Sequence, residues 1–316
     1  MSGPDTPGER RPPTVAIVGV TASGKSALAL AVARRLPDVE LVTVDSMQVY
    51  RGMDVGTAKP TAAERAEVPH HLIDVADPWE EYSLARYRGD AAAVLADVAT
   101  RGRRAVLVGG TALYLRALVD DLDVPGRFPD VRAELDADPD TRALHARLAT
   151  LDPVAASRME PGNRRRVVRA LEVTIGAGRP FSSYGPGLTD HGDSPVAQVG
   201  VRLPHPVVAR RIADRYRTQL ASGFVEEVDA LLALGRPLSR TAAQALGYRE
   251  LIAHRRGAET LDDAVERAVV RTRQFAKRQR AWFRRDPRIE WFDAEVDPDE
   301  VTDALVARVA DLLEPG

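Results

Sequence analysis

Three short apolar runs, each closed by glycine or small polar residues, mark the first third of the chain. Val15–Val18 leads into Gly19–Ser26 and an Ala/Leu-rich stretch over 27–36. Leu41–Val44 ends on Asp45 and Ser46, and Ala105–Val108 ends on Gly109, Gly110 and Thr111 ahead of ALYLRALV. Runs this short, bounded by turn residues, read as buried strands, and the stretches between them as helices. Alternation of this kind builds a parallel sheet whose ligands lie beyond the carboxyl ends of its strands. The pattern therefore predicts an α/β fold, a parallel sheet flanked by helices, with Gly19–Ser26, Asp45 and Thr111 converging on one edge, and the G-x-x-x-x-G-K-S spelling of Gly19–Ser26 makes it P-loop NTPase-like.

The pattern changes over about 121–200. Helical stretches such as TRALHARLATLDPVAASRM and NRRRVVRALEVTIGAG replace apolar strands, and GRPFSSYGPGLTDHGDSP is loop-rich. AQVGVRL then reads as a strand returning to the sheet, and the remainder as mainly helix. The expected organisation is a disordered leader over 1–12, a discontinuous core over 13–120 and 200–316, and a mostly helical insertion over 121–199. No run approaches the ~18 apolar residues of a membrane span, and the leader lacks an apolar core, so a cytoplasmic protein is expected.

Composition removes several chemistries. There are no cysteines, hence no disulfide, thiolate nucleophile or cysteine-held zinc, and the six histidines are scattered. His70 and His71 in PHHLID have no second cluster to complete a metal site and read as structural. A net charge of −2 hides a run at 271–285, RTRQFAKRQRAWFRR, with seven basic residues and no acid, so a polyanionic partner stays open. Only three of the 44 basic residues are lysines: Lys25, Lys59 and Lys277. In so arginine-rich a chain, each retained lysine hints at a site suited to a compact ammonium.

Gly19–Ser26 reads G-x-x-x-x-G-K-S between a strand and a helix. Backbone N–H groups, a helix N-terminus, the Lys25 ammonium and a magnesium ion on the Ser26 hydroxyl can together hold a polyphosphate, a nucleotide tail among them. An ordinary strand-to-helix turn is the plainer alternative. A common NTPase also places an acid at the end of a neighbouring apolar strand. The strand 105–108 ends instead in glycines and Thr111, which leaves Asp45 as the acid well placed at the edge. Asp45 serves either as a proton acceptor or as a turn cap, and its position alone does not decide between them.

Longer motifs carry a specific resemblance. GVTASGKSALA, DSMQVYRGMDVGTAKP, VPHHLIDVADPWEEYSLARYR, VGGTALYLRAL, RALEV, and QALGYRE followed by RQFAKRQRAWFR occur in this order. The chain resembles the bacterial tRNA dimethylallyltransferases from about Val15 to Phe292. Val20 stands where that family usually has proline, and Asp121 where glycine is common.

The resemblance implies that dimethylallyl diphosphate is the donor and the acceptor is N6 of the adenosine beside the anticodon, in tRNAs reading codons that begin with U. It implies that Gly19, Val20, Thr21, Ala22, Ser23, Gly24, Lys25 and Ser26 hold the diphosphate, with Mg2+ on Ser26. Asp45 is then the base, Thr111 a polar contact to the reacting adenine, and Arg211 an aid to the diphosphate, although Arg210 beside it competes for that role. By the same resemblance, contacts to the anticodon stem-loop fall to Asp45, Ser46, Met47, Gln48, Thr111, Arg132, and to Arg165, Arg166, Val167, Val168 and Arg169. Lys277, Arg278 and Arg280 join them because their run interleaves cations with Phe275, Trp282 and Phe283, a combination that binds single-stranded loops. A monomer is expected. For the basic runs the plainer reading is a solvated helix face, with Phe275, Trp282 and Phe283 packed inward. The rivals are an adenylate isopentenyltransferase acting on free AMP, ADP or ATP, a P-loop small-molecule kinase, and a non-catalytic RNA-binding protein.

Overall fold

In the computed structural model, described over residues 13–185 and 191–314, six strands form one wholly parallel sheet. They are β1 (Thr14–Val18), β2 (Val39–Val44), β3 (His70–His71), β4 (Arg104–Gly109), β5 (Val196–Arg202) and β6 (Ile289–Asp293), in the order β3-β2-β4-β1-β5-β6. The three apolar runs are β1, β2 and β4, and the returning strand is β5. Two strands go beyond the sequence reading. β3 is a histidine pair too short to show any periodicity, and β6 interrupts a segment read as mainly helical.

One face of the sheet is covered by the helices Lys25–Arg35 and Thr302–Leu313, which also pack on each other. Val15, Ile17, Leu41, Val106 and Val199 from the strands meet Leu28, Val32, Leu305 and Val309 there, all essentially buried. Truncating any of the leucines costs about 2–5 kcal/mol through forfeited transfer energy and the cavity left behind. The helix Leu84–Thr100 packs on β2 and β4. Toward the C-terminus His205–Ala221, Phe224–Leu232, Tyr248–Arg255 and Leu261–Phe283 pack successively on one another.

Register levels the carboxyl ends of the three strands that matter. Val18 of β1 and Val44 of β2 both pair with Gly109 of β4, so the loops that follow leave the sheet side by side. Gly109 permits this: a Cβ there would lie 2.0 Å from the Val44 carbonyl oxygen.

The chain divides into two compact units, one running to Leu115 and resuming at Asp193, the other Arg116–Gly192. The second is helical, built from Pro129–Ala137, Thr141–Leu151, Pro153–Ser157 and Arg164–Ala177 around Leu135, Leu144, Leu148, Val167, Val168 and Leu171. Its limits fall earlier than 121–199, because Val196 already belongs to β5. Asp121, at the position where the resembled family favours glycine, has φ 44°, a left-handed conformation that glycine adopts without cost. The leader lies outside the described residues. Among the described residues no helix is long and apolar enough to cross a membrane.

Candidate active site

The loop after β1 is shaped by two left-handed residues, Ala22 at φ 62° and Gly24 at φ 87°. Alternation of this kind turns successive N–H groups to one side and makes an anion-binding concavity. Lys25 opens the helix, and among the described residues its ammonium makes only a long contact, 3.4 Å, to the Val20 carbonyl. Burial pushes Lys25 down to about 8, against the pull of the Asp45 carboxylate and with the push of Arg215. Ser26 follows with an exposed side chain.

Two arginines reach this loop from the helix His205–Ala221. Arg211 donates from Nε to the Ala22 carbonyl at 3.1 Å, and Arg215 donates from Nη2 to Thr21 Oγ1 at 2.8 Å. Arg210 is exposed on the same helix, so Arg211 is the member of the pair that meets the loop. The sequence reading missed Arg215, which falls four residues after Arg211 and so on the same helix face, a signal that was available. Burial pushes its guanidinium down. Its Nε and the Ser23 hydroxyl are buried without a hydrogen-bond partner among the described residues. Unmet buried donors cost about 1–3 kcal/mol each, and beside an anion loop they are capacity for a ligand.

Asp45 leaves β2 at the neighbouring position. Its Oδ1 accepts from Met47 N at 2.8 Å and Gln48 N at 3.4 Å, so it does cap the turn. Oδ2 takes no part in that cap. The Thr111 hydroxyl accepts from Ser46 N at 3.1 Å, and Thr111 N donates to the Val44 carbonyl. Ser46, Met47 and Gln48 are half-buried, and Gln48 Nε2 donates to the carbonyls of Thr57 and Ala58 at 3.1 and 3.2 Å. The loop edge thus brings together Gly19–Ser26, Asp45–Gln48, Thr111 and Arg211.

The stretch that follows Gln48 is clamped from two sides. Lys59, its side chain 2% exposed, donates to the Tyr50 carbonyl and to the carboxylates of Asp54 and Asp74, so this retained lysine is an internal tie. Glu227, which the sequence reading did not single out, accepts from the backbone N–H groups of Asp54, Val55 and Gly56 and from the Tyr248 hydroxyl.

Gln279 was also missed. On the helix Leu261–Phe283 it lies in the buried stripe Ala264, Ala268, Thr272, Ala276, Gln279, Phe283, and a polar side chain in that register was a readable signal. On the outer face Lys277 and Arg278 are exposed, with Arg278 5.9 Å above the Phe275 ring. Arg280 is half-buried and donates to the Leu203 carbonyl at 2.7 Å. Phe283 is 2% exposed and belongs to the core, while Phe275 and Trp282 are half-buried.

In the helical unit Arg165 and Arg166 are exposed. Val167 and Val168 are fully buried, which corrects their place among the RNA-facing residues: the 3.6-residue period turns them into the unit's own core. Arg169 is half-buried and donates to Glu172 and to the carbonyls of Pro125 and Gly126, so its guanidinium is committed within the unit. Arg132 pairs with Asp136 at 2.8 Å.

The histidines of β3 are structural. His70 bonds the Val68 carbonyl and His71 the buried Glu40 carboxylate, each at 2.7 Å. Among the described residues no group of three or more His, Cys, Asp or Glu side chains could hold a metal ion. The exposed Ser26 hydroxyl offers a single protein oxygen, which suits magnesium, an ion that keeps several waters and takes further oxygens from a bound phosphate.

Known proteins resemble this chain over nearly its whole length. The sequence model of the IPP transferase family matches residues 48–286. A tRNA dimethylallyltransferase of Nocardioides sp. is 45% identical, over 98% of this chain and 99% of its own. One of Kineococcus radiotolerans is 47% identical, over 97% and 98%. The crystal structure of the tRNA isopentenylpyrophosphate transferase of Bacillus halodurans superposes with a TM-score of 0.69 at 37% identity, covering 95% of this chain and 96% of that one. With the family model matched over most of the chain and relatives matched end to end, the chain belongs to the IPP transferase family.

Proposed function

We propose that this chain transfers a dimethylallyl group from dimethylallyl diphosphate to N6 of the adenosine beside the anticodon of tRNA, releasing diphosphate. The observation that carries the reading is the levelled edge of β1, β4 and β2, where an anion loop and an aspartate turn lie side by side with no acid at the end of β4. That arrangement suits a reaction in which a diphosphate departs and an amine arrives, without a water nucleophile to activate.

The N6 lone pair attacks the first carbon of the dimethylallyl group, and the bond from that carbon to the diphosphate oxygen breaks, its electron pair leaving with the diphosphate. Loop N–H groups, Lys25, Arg211 and Arg215 stabilise the growing negative charge. Ser26 would hold a magnesium ion, which supplies further positive charge to the departing diphosphate. Asp45 Oδ2 accepts the N6 proton, while Oδ1 stays in the cap that aims the side chain. Thr111 orients the adenine. Because the target base is stacked within its loop, the RNA extrudes it to reach the edge. Asp45–Gln48 then face the extruded base, and Arg132, Arg165, Arg166, Lys277 and Arg278 supply cations to the phosphates.

Lys25→Ala tests the donor assignment. It should abolish prenyl transfer and leave stem-loop binding within about threefold, since the two substrates meet different surfaces. Magnesium-dependent ATP hydrolysis as fast as prenyl transfer would contradict the assignment.

A further inference from the structure

Gln279 is 6% exposed and uses both ends of its amide. Oε1 accepts from Thr21 N at 2.8 Å, and Nε2 donates to the Gly110 carbonyl at 2.7 Å. Thr21 belongs to the phosphate loop and Gly110 precedes Thr111. From Thr111 the chain of bonds continues through its hydroxyl to Ser46 N, beside Asp45. Packing leaves no slack: a Cβ on Gly110 would lie 2.6 Å from Gln279 Nε2. A single carboxamide therefore ties the anion loop to the turn that carries Asp45. The task demands an amide, because one end must accept from an N–H while the other donates to a C=O. The same helix exposes Lys277 and Arg278 on its opposite face.

We propose that Gln279 is a positioning residue that sets the separation of prenyl donor and acceptor amine by bridging Thr21 and Gly110. The proposal rests on the prenyl-transfer reading above. It places Gln279 in the rate of transfer rather than in the affinity for either substrate, because orientation at the reacting centre is gained only when both substrates are bound.

Two variants test it in single-turnover transfer at saturating dimethylallyl diphosphate and unmodified anticodon stem-loop. Gln279→Met keeps the volume and removes both bonds. Its rate should fall at least about tenfold, with the Kd of each substrate, measured separately, within about threefold of wild type. Gln279→Glu keeps the acceptor for Thr21 but sets a carboxylate against the Gly110 carbonyl. Protonation restores a donor there, so its rate relative to wild type should climb as pH falls from about 8 to about 5. Lys25, whose Cε lies 3.5 Å from a Cβ placed on Gly110, and Arg215, bonded to Thr21, are charges on this side of the loop, and wild type run at each pH is the reference for the ratio. Should the Met variant fail to give a cooperative melt, the Glu variant carries the test alone. A Met variant at the wild-type rate, or a Glu variant with a pH-independent relative rate, overturns the proposal. Absence of transfer by wild type would instead overturn the reading on which it rests.

Discussion

Asp45→Asn separates the two jobs that one side chain holds. The cap uses Oδ1, with Met47 N at 2.8 Å and Gln48 N at 3.4 Å, and asparagine keeps an oxygen there. Removing the charge from those bonds costs about 0.5–1 kcal/mol, a melting shift of roughly 2 °C in a chain of this size. Loss of proton acceptance removes about 10²–10⁴ from the rate, or ~3–5 kcal/mol of transition-state stabilisation. Rate and stability thus part company by several kcal/mol. A second consequence follows at Lys25, whose ammonium is supported by the Asp45 charge. In the Asn variant it should deprotonate at lower pH than in wild type, so donor affinity weakens sooner as pH rises. Single-turnover transfer, a thermal melt and donor binding across pH read the three effects. An Asn variant that turns over at the wild-type rate would return Asp45 to capping alone and remove the base from the mechanism.

In wild type Lys25 is held down to about 8 by burial, so it is charged below that pH and loses its proton above it. The Kd for dimethylallyl diphosphate should therefore rise by up to about tenfold per pH unit above 8, and a flat calorimetric profile there would contradict the role of the ammonium. Glu40, 2% exposed, is pulled down to about 2 by the Arg101 guanidinium and then by His71. A depressed carboxyl stabilises the fold fully above its unfolded pKa and loses that contribution as pH falls toward 2. Glu40→Ala should lower stability by about 1–3 kcal/mol at pH 7 and flatten its acid dependence, as denaturant melts across pH would show. Replacing Arg165, Arg166, Lys277 and Arg278 together should reduce the salt slope of stem-loop binding by about 0.7 for each phosphate no longer neutralised, and an unchanged slope would remove them from the interface.

The edge was legible because strands and phosphate loops are local. An apolar run, a glycine and a lysine at fixed spacing specify Gly19–Ser26 without reference to the rest of the chain, and the alternation of strands and helices placed Asp45 and Thr111 beside it. Helix register marked Arg215 and Gln279 as facing inward, but the partners they meet, Thr21 and Gly110, lie far along the chain, as do residues 54–56 for Glu227, and no local pattern encodes those pairings. The basic run at 165–169 misled for the opposite reason. Charge marked the segment as a surface, but a helix turns its residues through all directions, which left Arg165 and Arg166 outside and sent Val167 and Val168 into the core. Lys59 shows that rarity alone does not mark a catalytic residue, since its ammonium is spent on Asp54 and Asp74.

The central claim is that the anion loop serves prenyl transfer to tRNA, and mass spectrometry of the acceptor tests it most directly. Purified protein with magnesium and dimethylallyl diphosphate is given an unmodified anticodon stem-loop, the same stem-loop with the target adenosine replaced, and AMP. The account predicts one added dimethylallyl mass on the first acceptor, none on the second, and little or none on AMP. Prenylation of AMP as readily as of the stem-loop, or of none of the three, would contradict it.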